Sequence, residues 1–471
     1  MRCLAQVLLA GSGGFLGFCF TAVPASAHAF GQRYDLPVPL LLYLVGAAAT
    51  VLLSFVMMAL LSRGRNLEFN LPEYSFANAP FGRVLAQVIL VALLILVVTA
   101  GFLGVDNPQR NVAPVMVWII GWIGIAYICA LIGDIWEIAN PWDTLFRWFG
   151  TRDDNARDWP AWLGMWPAVF LLGAFAWLEL ISEAGESPRQ LAFLIVMYSA
   201  ITWLGMATLG RRNWLRNGEA FAVIFALFGR FAPLCRSRDG GLALRMPAVG
   251  LLVDHPVRFS QTAFVLLALS TVTFDGFLET PAWVMLLEAI LDTPFFLALE
   301  DLGLNRLKTI KTLAMLVFFG GFLTIYLMCC RLMALADRAV PMRQVVGSFV
   351  LPLVPIAIAY HLAHYLSYLL ISGQGVIPLM SDPFGFGWDL LGTADYRIDI
   401  GIVGARFVWN LSIVSIVIGH LLAVYLSHAM ALRLFADARA ALRSQIPMLV
   451  LMIGYTMISL WILSQPVVSA G

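Results

Sequence analysis

Lysine and charge are scarce in this chain. Only Lys308 and Lys311 accompany 27 arginines, and charged residues fill 12% of the 471 positions, against about 25% in soluble domains. The hydrophobic share is 61% and the mean hydropathy is +0.86. This composition excludes an ordinary water-soluble domain and predicts a polytopic membrane protein with the lipid bilayer as its first partner. The net charge of +1 and the lack of a basic arm predict no nucleic-acid partner.

Motifs of several enzyme classes are also missing. The chain has no P-loop, G-x-S-x-G elbow, H-E-x-x-H, G-x-G-x-x-G fingerprint or zinc-finger spacing, which argues against nucleotide-driven and serine-hydrolase chemistry. Its six cysteines have no C-x-x-C spacing. They therefore indicate neither a disulfide framework nor a cysteine metal site.

Residues 1–27 have the pattern of a cleaved secretory signal peptide. Arg2 precedes an apolar core, and Ala25-Ser26-Ala27 provides a small-residue cleavage site. Cleavage there would make His28 the mature N-terminus. A terminal histidine offers an amine and a ring nitrogen together, a chelating pair that suits copper.

Long apolar segments dominate residues 28–471 and predict one all-α transmembrane domain. Each segment is about 20 residues long, the length that crosses a bilayer. We expect a polytopic helical bundle of ten membrane helices, near 38–61, 84–104, 112–133, 160–181, 190–209, 257–275, 309–332, 345–371, 403–427 and 446–465.

Basic residues lie mostly on one side of the predicted bundle. One set of loops, with boundary residue Arg258, holds 20 Lys/Arg and the other set holds eight. The positive-inside rule therefore predicts both termini outside. The inner loop 210–256 is rich in arginine, and the outer loop 372–402 carries four aspartates among aromatic residues.

Two apolar pieces fall outside the ten spans. Ala220–Leu234, within the inner loop, is too short to cross a bilayer and is expected to be an interfacial amphipathic helix or a re-entrant one. Pro281–Leu302 alternates apolar residues with Glu288 and Asp292, which predicts a helix that lies on the outer membrane surface.

The eighth helix carries ionisable side chains within the membrane. His361, His364, Tyr365 and Tyr368 follow i, i+3, i+4, i+7 spacing, so a helix places them on one face. Ionisable groups at membrane depth usually face a bundle interior, a cavity or a partner. Two interpretations stay open at this point: a functional site, or a polar seam in which histidines bond to a neighbouring helix.

Candidate partners for these histidines occur on two other helices. Asp275 ends the sixth helix on the outer side, where it could act as a metal ligand or general base. The ninth helix carries Arg406, Asn410 and His420 within one helical arc. His420 and His364 are predicted to lie at different depths in the membrane. One ligand shell that contains both histidines would therefore need a tilted or broken helix.

Four stretches are distinctive as a set: HAFGQRYDLPVP, AYHLAHYLSYLLISGQG, SDPFGFGWDLLGTADYRIDIG and GHLLAVYLSHAMAL. With these stretches, which run along the mature chain, the sequence resembles one family of bacterial multi-pass membrane proteins, some of whose members are described as fenitrothion hydrolase. The resemblance implies a phosphoric triester hydrolase of the bacterial inner (cytoplasmic) membrane, acting on a hydrophobic small molecule. It also implies a second protein component in some systems.

A divalent metal, zinc or copper, would supply such chemistry by activating water and polarising the phosphoryl group. We expect His361, His364 and Asp275 at that centre, with His420 and His28 as further ligand candidates. Tyr365 or Arg406 would steady developing charge. Two other classes stay open: a non-enzymatic copper- or metal-handling membrane protein, and a transporter or channel lined by the polar arc of the ninth helix.

Overall fold

The computed structural model describes most of the chain beyond the predicted signal peptide. The described residues are 26–27, 34–35, 38–61, 74–76, 80–149, 158–237, 241–253 and 255–465. Residues 1–25 and His28 lie outside them.

Helices make up almost all of the described fold. In chain order they are Leu40–Leu61 (α1), Pro80–Leu103 (α2), Val112–Leu131 (α3), Ile135–Ala139 (α4), Pro141–Trp148 (α5), Trp166–Leu180 (α6), Pro188–Leu209 (α7), Arg211–Asn217 (α8), Ala220–Gly229 (α9), Phe259–Leu278 (α10), Pro281–Leu291 (α11), Pro294–Asp301 (α12), Arg306–Ala334 (α13), Met342–Phe349 (α14), Val354–Ile371 (α15), Val376–Ser381 (α16), Ala405–Leu434 (α17) and Ala438–Ser464 (α18).

Several helix starts follow from local sequence. Ser187 and Thr280 each precede a proline and accept a hydrogen bond from a backbone amide of the first turn, and Asn305 caps α13 in the same way. A capping side chain followed by proline at the first helical position is a strong helix start, since that proline lacks only an amide hydrogen that would have no partner within the helix.

Nine segments of the described residues are long and apolar enough to cross a membrane. They match nine of the ten predicted spans, and the all-α polytopic prediction is confirmed. The remaining predicted span, 160–181, corresponds to the 15-residue helix α6. It is shorter than the others because the chain forms turns, not helix, until Met165.

The short helix α9 is buried inside the bundle. Seven of its ten residues are buried, and it packs against α3, α6 and α15. A helix resting on the membrane surface would leave one face uncovered. Of the two forms expected from the sequence, the structure therefore favours a re-entrant helix.

The segment Pro281–Leu302, predicted on the outer side, is not one helix. It divides into α11 and α12, which meet at a bend of 72°. The break falls at Thr293-Pro294, where a proline begins the second helix. The prediction of a single continuous helix was wrong at this point.

Small strands lie outside the helical bundle. Tyr74–Phe76 (β3), Leu234–Arg236 (β4) and Leu242–Leu244 (β5) form an antiparallel sheet in the order β3-β5-β4 on the arginine-rich side. Ser26–Ala27 (β1) pairs with Tyr34–Asp35 (β2).

Helices α15 and α17 pack very closely. A side chain at Gly419 would bring its Cβ within 2.7 Å of the Pro355 carbonyl oxygen, and Ser412 donates to the Ala363 carbonyl at 3.2 Å. This contact holds the histidine-bearing face of α15 toward α10 and α6.

Candidate functional site

A cavity of about 620 Å³ occupies one end of the bundle, where α3, α6, α10, α15, α17 and α18 converge. It opens on the face that carries the 372–402 loop, the face predicted to be outside. Drug-sized ligands occupy pockets of about 300–1,000 Å³. The cavity is thus large enough for a substrate, not only for water.

Asp275, His364 and Tyr365 are hydrogen-bonded together in the cavity wall. His364 Nε2 lies 3.0 Å from Asp275 Oδ2, and the Tyr365 hydroxyl donates to the same oxygen at 2.5 Å. All three side chains line the cavity. The sequence analysis placed these three residues at one candidate site, and the structure brings them into direct contact.

Close packing of α10 against α15 makes this contact achievable. A Cβ at Gly276 would lie 2.5 Å from the Tyr360 hydroxyl oxygen, so only glycine permits the approach. From the other side, the Tyr127 hydroxyl donates to the carbonyls of His361 and Leu362 at 3.2 and 3.0 Å. These contacts fix the turn of α15 that carries His364.

The cavity wall is acidic. Glu179, Glu186 and Glu279 join Asp275 among the lining residues, whereas no lysine or arginine is found among the described residues that line it. None of these residues offers an anion a permanent positive charge, so the wall favours neutral or cationic molecules.

His361 is buried beneath the cavity. Its side chain is 4% exposed, and Nε2 has no hydrogen-bond partner among the described residues. A space of about 30 Å³ lies beside it and is shared with Glu179 and Tyr365. That volume suits one water molecule, which could connect His361 to the residues above.

Two tryptophans shape the cavity. Trp118 belongs to a π-helical stretch, Val115–Gly124, and donates to the Gly185 carbonyl at 2.9 Å; such stretches are rare and are frequent at functional sites. Trp409 is 4% exposed, and its indole N–H has no partner among the described residues. Trp409 lines the cavity, but its indole nitrogen is buried within the wall, and its ring lies edge-on to Tyr43 of α1 with 5.5 Å between the ring centroids.

Other predicted site residues lie elsewhere. Arg406 is exposed at the start of α17 and does not line the cavity. His420 is buried lower on α17, where Nδ1 lies 2.8 Å from the Ile416 carbonyl, and its ring packs near Tyr455. His28 lies outside the described residues.

The described side chains among the predicted metal ligands do not form a group that could hold one metal ion. Within the described ranges, no three His, Cys, Asp or Glu side chains form a group that could hold a metal ion. The Nε2 atom of His364 already meets Asp275, and His361 makes no hydrogen bond to either residue through Nε2. As arranged, these residues do not fit a resident zinc or copper ion, and the metal site stays a prediction.

Aspartates of the outer loop have structural roles. Asp382 accepts from the amides of Phe386 and Gly387 at 2.9 and 2.6 Å. Asp389 accepts from Ser381 and from the Ala394 amide. These carboxylates stabilise turns rather than reach the cavity.

A second buried carboxylate lies on the arginine-rich side. Glu219 caps α9 by accepting from the amides of Phe221 and Ala222 at 2.9 and 2.7 Å, and it also accepts from the Tyr198 hydroxyl. Burial raises the pKa of the Glu219 carboxyl above its ordinary value. Burial likewise raises the pKa of Asp134, the cap of α4, to about 6.

Sequence reasoning missed Glu179 and Trp409. Glu179 is the only charged residue of α6, and a lone carboxylate in an apolar membrane helix is a signal of function. Trp409 carries no comparable signal, because tryptophan is common in membrane helices and only its packing shows that the N–H is uncommitted.

Comparison with known proteins adds no assignment. No family model, no curated protein and no solved structure matches this chain.

Proposed function

We propose that this polytopic membrane protein hydrolyses a neutral, hydrophobic ester in the cavity at its outer face, and that phosphoric triesters of the fenitrothion type are its substrate class. The observation that carries the proposal is the contact between His364 and Asp275 in the wall of a substrate-sized cavity. A carboxylate bonded to one nitrogen of an imidazole fixes the tautomer and stabilises the imidazolium that forms during general-base catalysis.

The bond between His364 and Asp275 determines which ring nitrogen of His364 can accept a proton. Bonding to Asp275 assigns the ring proton of neutral His364 to Nε2 and leaves Nδ1 to accept a proton. A water molecule in the cavity gives a proton to Nδ1 as its oxygen attacks phosphorus. The new P–O bond forms, the bond from phosphorus to the leaving alcohol breaks, and His364 returns its proton to the leaving oxygen or to solvent.

Tyr365 takes a different role from the one expected from the sequence. Its hydroxyl donates to Asp275, so in this arrangement it positions the carboxylate rather than the reacting phosphoryl group. The Trp409 N–H has no partner among the described residues but is buried in the cavity wall, so in this proposal the indole turns toward the cavity to donate to the phosphoryl oxygen.

Electrostatics agree with this substrate class. A neutral triester enters an acidic cavity without repulsion, whereas the product diester is an anion. Repulsion from Glu186, which lines the cavity and is exposed, would favour product release.

Release of 4-nitrophenolate from diethyl 4-nitrophenyl phosphate tests the proposal. The purified protein in lipid nanodiscs should hydrolyse this triester, and His364→Gln should lower kcat by about 10²–10⁴. The matched control is His428→Gln, because His428 is also a buried histidine on the neighbouring helix but bonds Gln445 at 2.9 Å. Equal rates for wild type, His364→Gln and empty nanodiscs would refute the proposal.

Elemental analysis tests the metal prediction separately. If zinc or copper is present in stoichiometric amount in wild type and is absent from His364→Ala, then His364 is a ligand and the dyad mechanism is replaced by metal-assisted attack.

A further inference from the structure

A second cavity lies beside the first and is apolar. It has a volume of about 320 Å³ and lies among α2, α3, α6, α7 and the re-entrant helix α9. Its lining residues are aliphatic or aromatic and include Leu94, Trp122, Phe175, Leu194 and Phe225. None of its described lining residues is acidic or basic, so water would find few partners there.

The apolar cavity reaches the lipid-facing surface of the bundle. Met197 and Ile201 line it from α7 and are 46% and 41% exposed, and Ala174 lines it from α6 and is exposed. Helix α7 is one of the nine segments that are long and apolar enough to cross a membrane, and α6 is a shorter apolar helix. What surrounds these side chains is therefore hydrocarbon, and the occupant available to the cavity is an alkyl chain.

The two cavities adjoin. Trp118 and Leu178 line both of them. A molecule whose polar centre lies beside His364 would have to pass these two side chains to place an apolar arm in the second cavity.

We propose that, among neutral phosphoric triesters, the preferred substrate is an amphiphile that carries one long alkyl arm, and that the apolar cavity binds this arm after lateral entry from the bilayer between α6 and α7. This inference rests on the proposed function. The arm gains little by leaving lipid for an equally apolar pocket, so its role is to position the reacting centre rather than to tighten binding.

Photo-crosslinking in nanodiscs tests where the arm binds. The probe is a diethyl phosphate triester with a decyl arm that ends in a diazirine, and labelled peptides are located by mass spectrometry. We expect label in 171–178 and 191–201, as both segments line the cavity.

Two substitutions make the test specific. Ala174→Trp fills the cavity mouth and should reduce this labelling about tenfold, with Ala174→Leu giving an intermediate loss if the larger residue perturbs folding. Val196→Trp is the matched control, because Val196 is 43% exposed on α7 and does not line the cavity. Even labelling of all lipid-facing helices, unchanged by Ala174→Trp and Ala174→Leu, would overturn the inference.

The result separates this inference from the proposed function. Crosslinking needs no turnover, so specific labelling of a protein that does not hydrolyse diethyl 4-nitrophenyl phosphate supports the binding site and refutes the activity. Hydrolysis of that short ester without specific labelling supports the activity and refutes the alkyl-arm site.

Discussion

His364 Nε2 lies 3.0 Å from Asp275 Oδ2, across the contact between α15 and α10. This one bond joins two residues 89 positions apart and fixes the orientation of a histidine within the bundle. Both residues line a cavity of about 620 Å³, and in the proposed function the other ring nitrogen accepts a proton from a molecule bound there.

His364 and Asp275 should act as a unit. We expect His364→Gln and Asp275→Asn each to lower kcat for triester hydrolysis by about 10²–10⁴, and the double variant to be no slower than the worse single variant. Kinetics of the three variants in nanodiscs measure this. Losses that multiply in the double variant would mean that the two residues act independently.

Removing the Trp409 N–H should slow catalysis without unfolding the protein. Trp409→Phe keeps most of the buried ring and should lower kcat about tenfold or more, as expected for loss of one donor to developing charge. Trp283→Phe is the control, because Trp283 is equally buried at 4% exposure but does not line the cavity. Equal kcat in both variants would remove Trp409 from the mechanism.

Glu219 should matter for stability and not for turnover. Glu219→Ala leaves the Tyr198 hydroxyl and the amides of Phe221 and Ala222 without their acceptor, at a cost of roughly 2 kcal/mol or more. We expect a lower Tm in detergent with unchanged kcat per folded molecule. Glu219→Gln retains an acceptor oxygen and should fall between Glu219→Ala and wild type. A wild-type Tm in Glu219→Ala would contradict this account of the α9 cap.

Asp134 should make stability fall as pH rises. Its folded pKa, raised by burial to about 6, exceeds the unfolded value of about 3.9. The folded state therefore binds this proton more tightly than the unfolded state does. The resulting stabilisation of the folded state is complete below pH 4 and is lost as pH rises through 6.

The free energy of unfolding falls by at most about 3 kcal/mol over this range, because each unit of difference between the folded and unfolded pKa corresponds to about 1.4 kcal/mol. Measured Tm should therefore fall between pH 5 and pH 7.5 in wild type. Asp134→Asn cannot ionise and should flatten this part of the profile; an unchanged slope in Asp134→Asn would assign the pH dependence to other groups.

The membrane helices were the most predictable part of the fold. Apolar runs of about 20 residues have few other stable structures in a bilayer, and nine of them occur where the sequence placed them. The form of Ala220–Gly229 stayed open because an interfacial and a re-entrant helix can share length and hydropathy. Only its burial against α3 and α6 separates the two.

The sequence predicted several residues of the candidate site but not how they are arranged. Helical spacing indicated His361 and His364 as one face, but the structure gives them different surroundings: His364 meets Asp275, whereas His361 is enclosed below. Spacing within one helix carries no information on which neighbour packs against it. For the same reason Glu179 and Trp409 were missed, although both line the cavity.

Hydrolysis in ¹⁸O-labelled water is the most direct test of water activated by His364. With diethyl 4-nitrophenyl phosphate as substrate, wild type should place ¹⁸O in diethyl phosphate and none in 4-nitrophenol, because water attacks phosphorus. His364→Gln should lose this product, and His428→Gln should keep it. Label in 4-nitrophenol, or labelled diethyl phosphate formed equally fast by His364→Gln, would contradict the account.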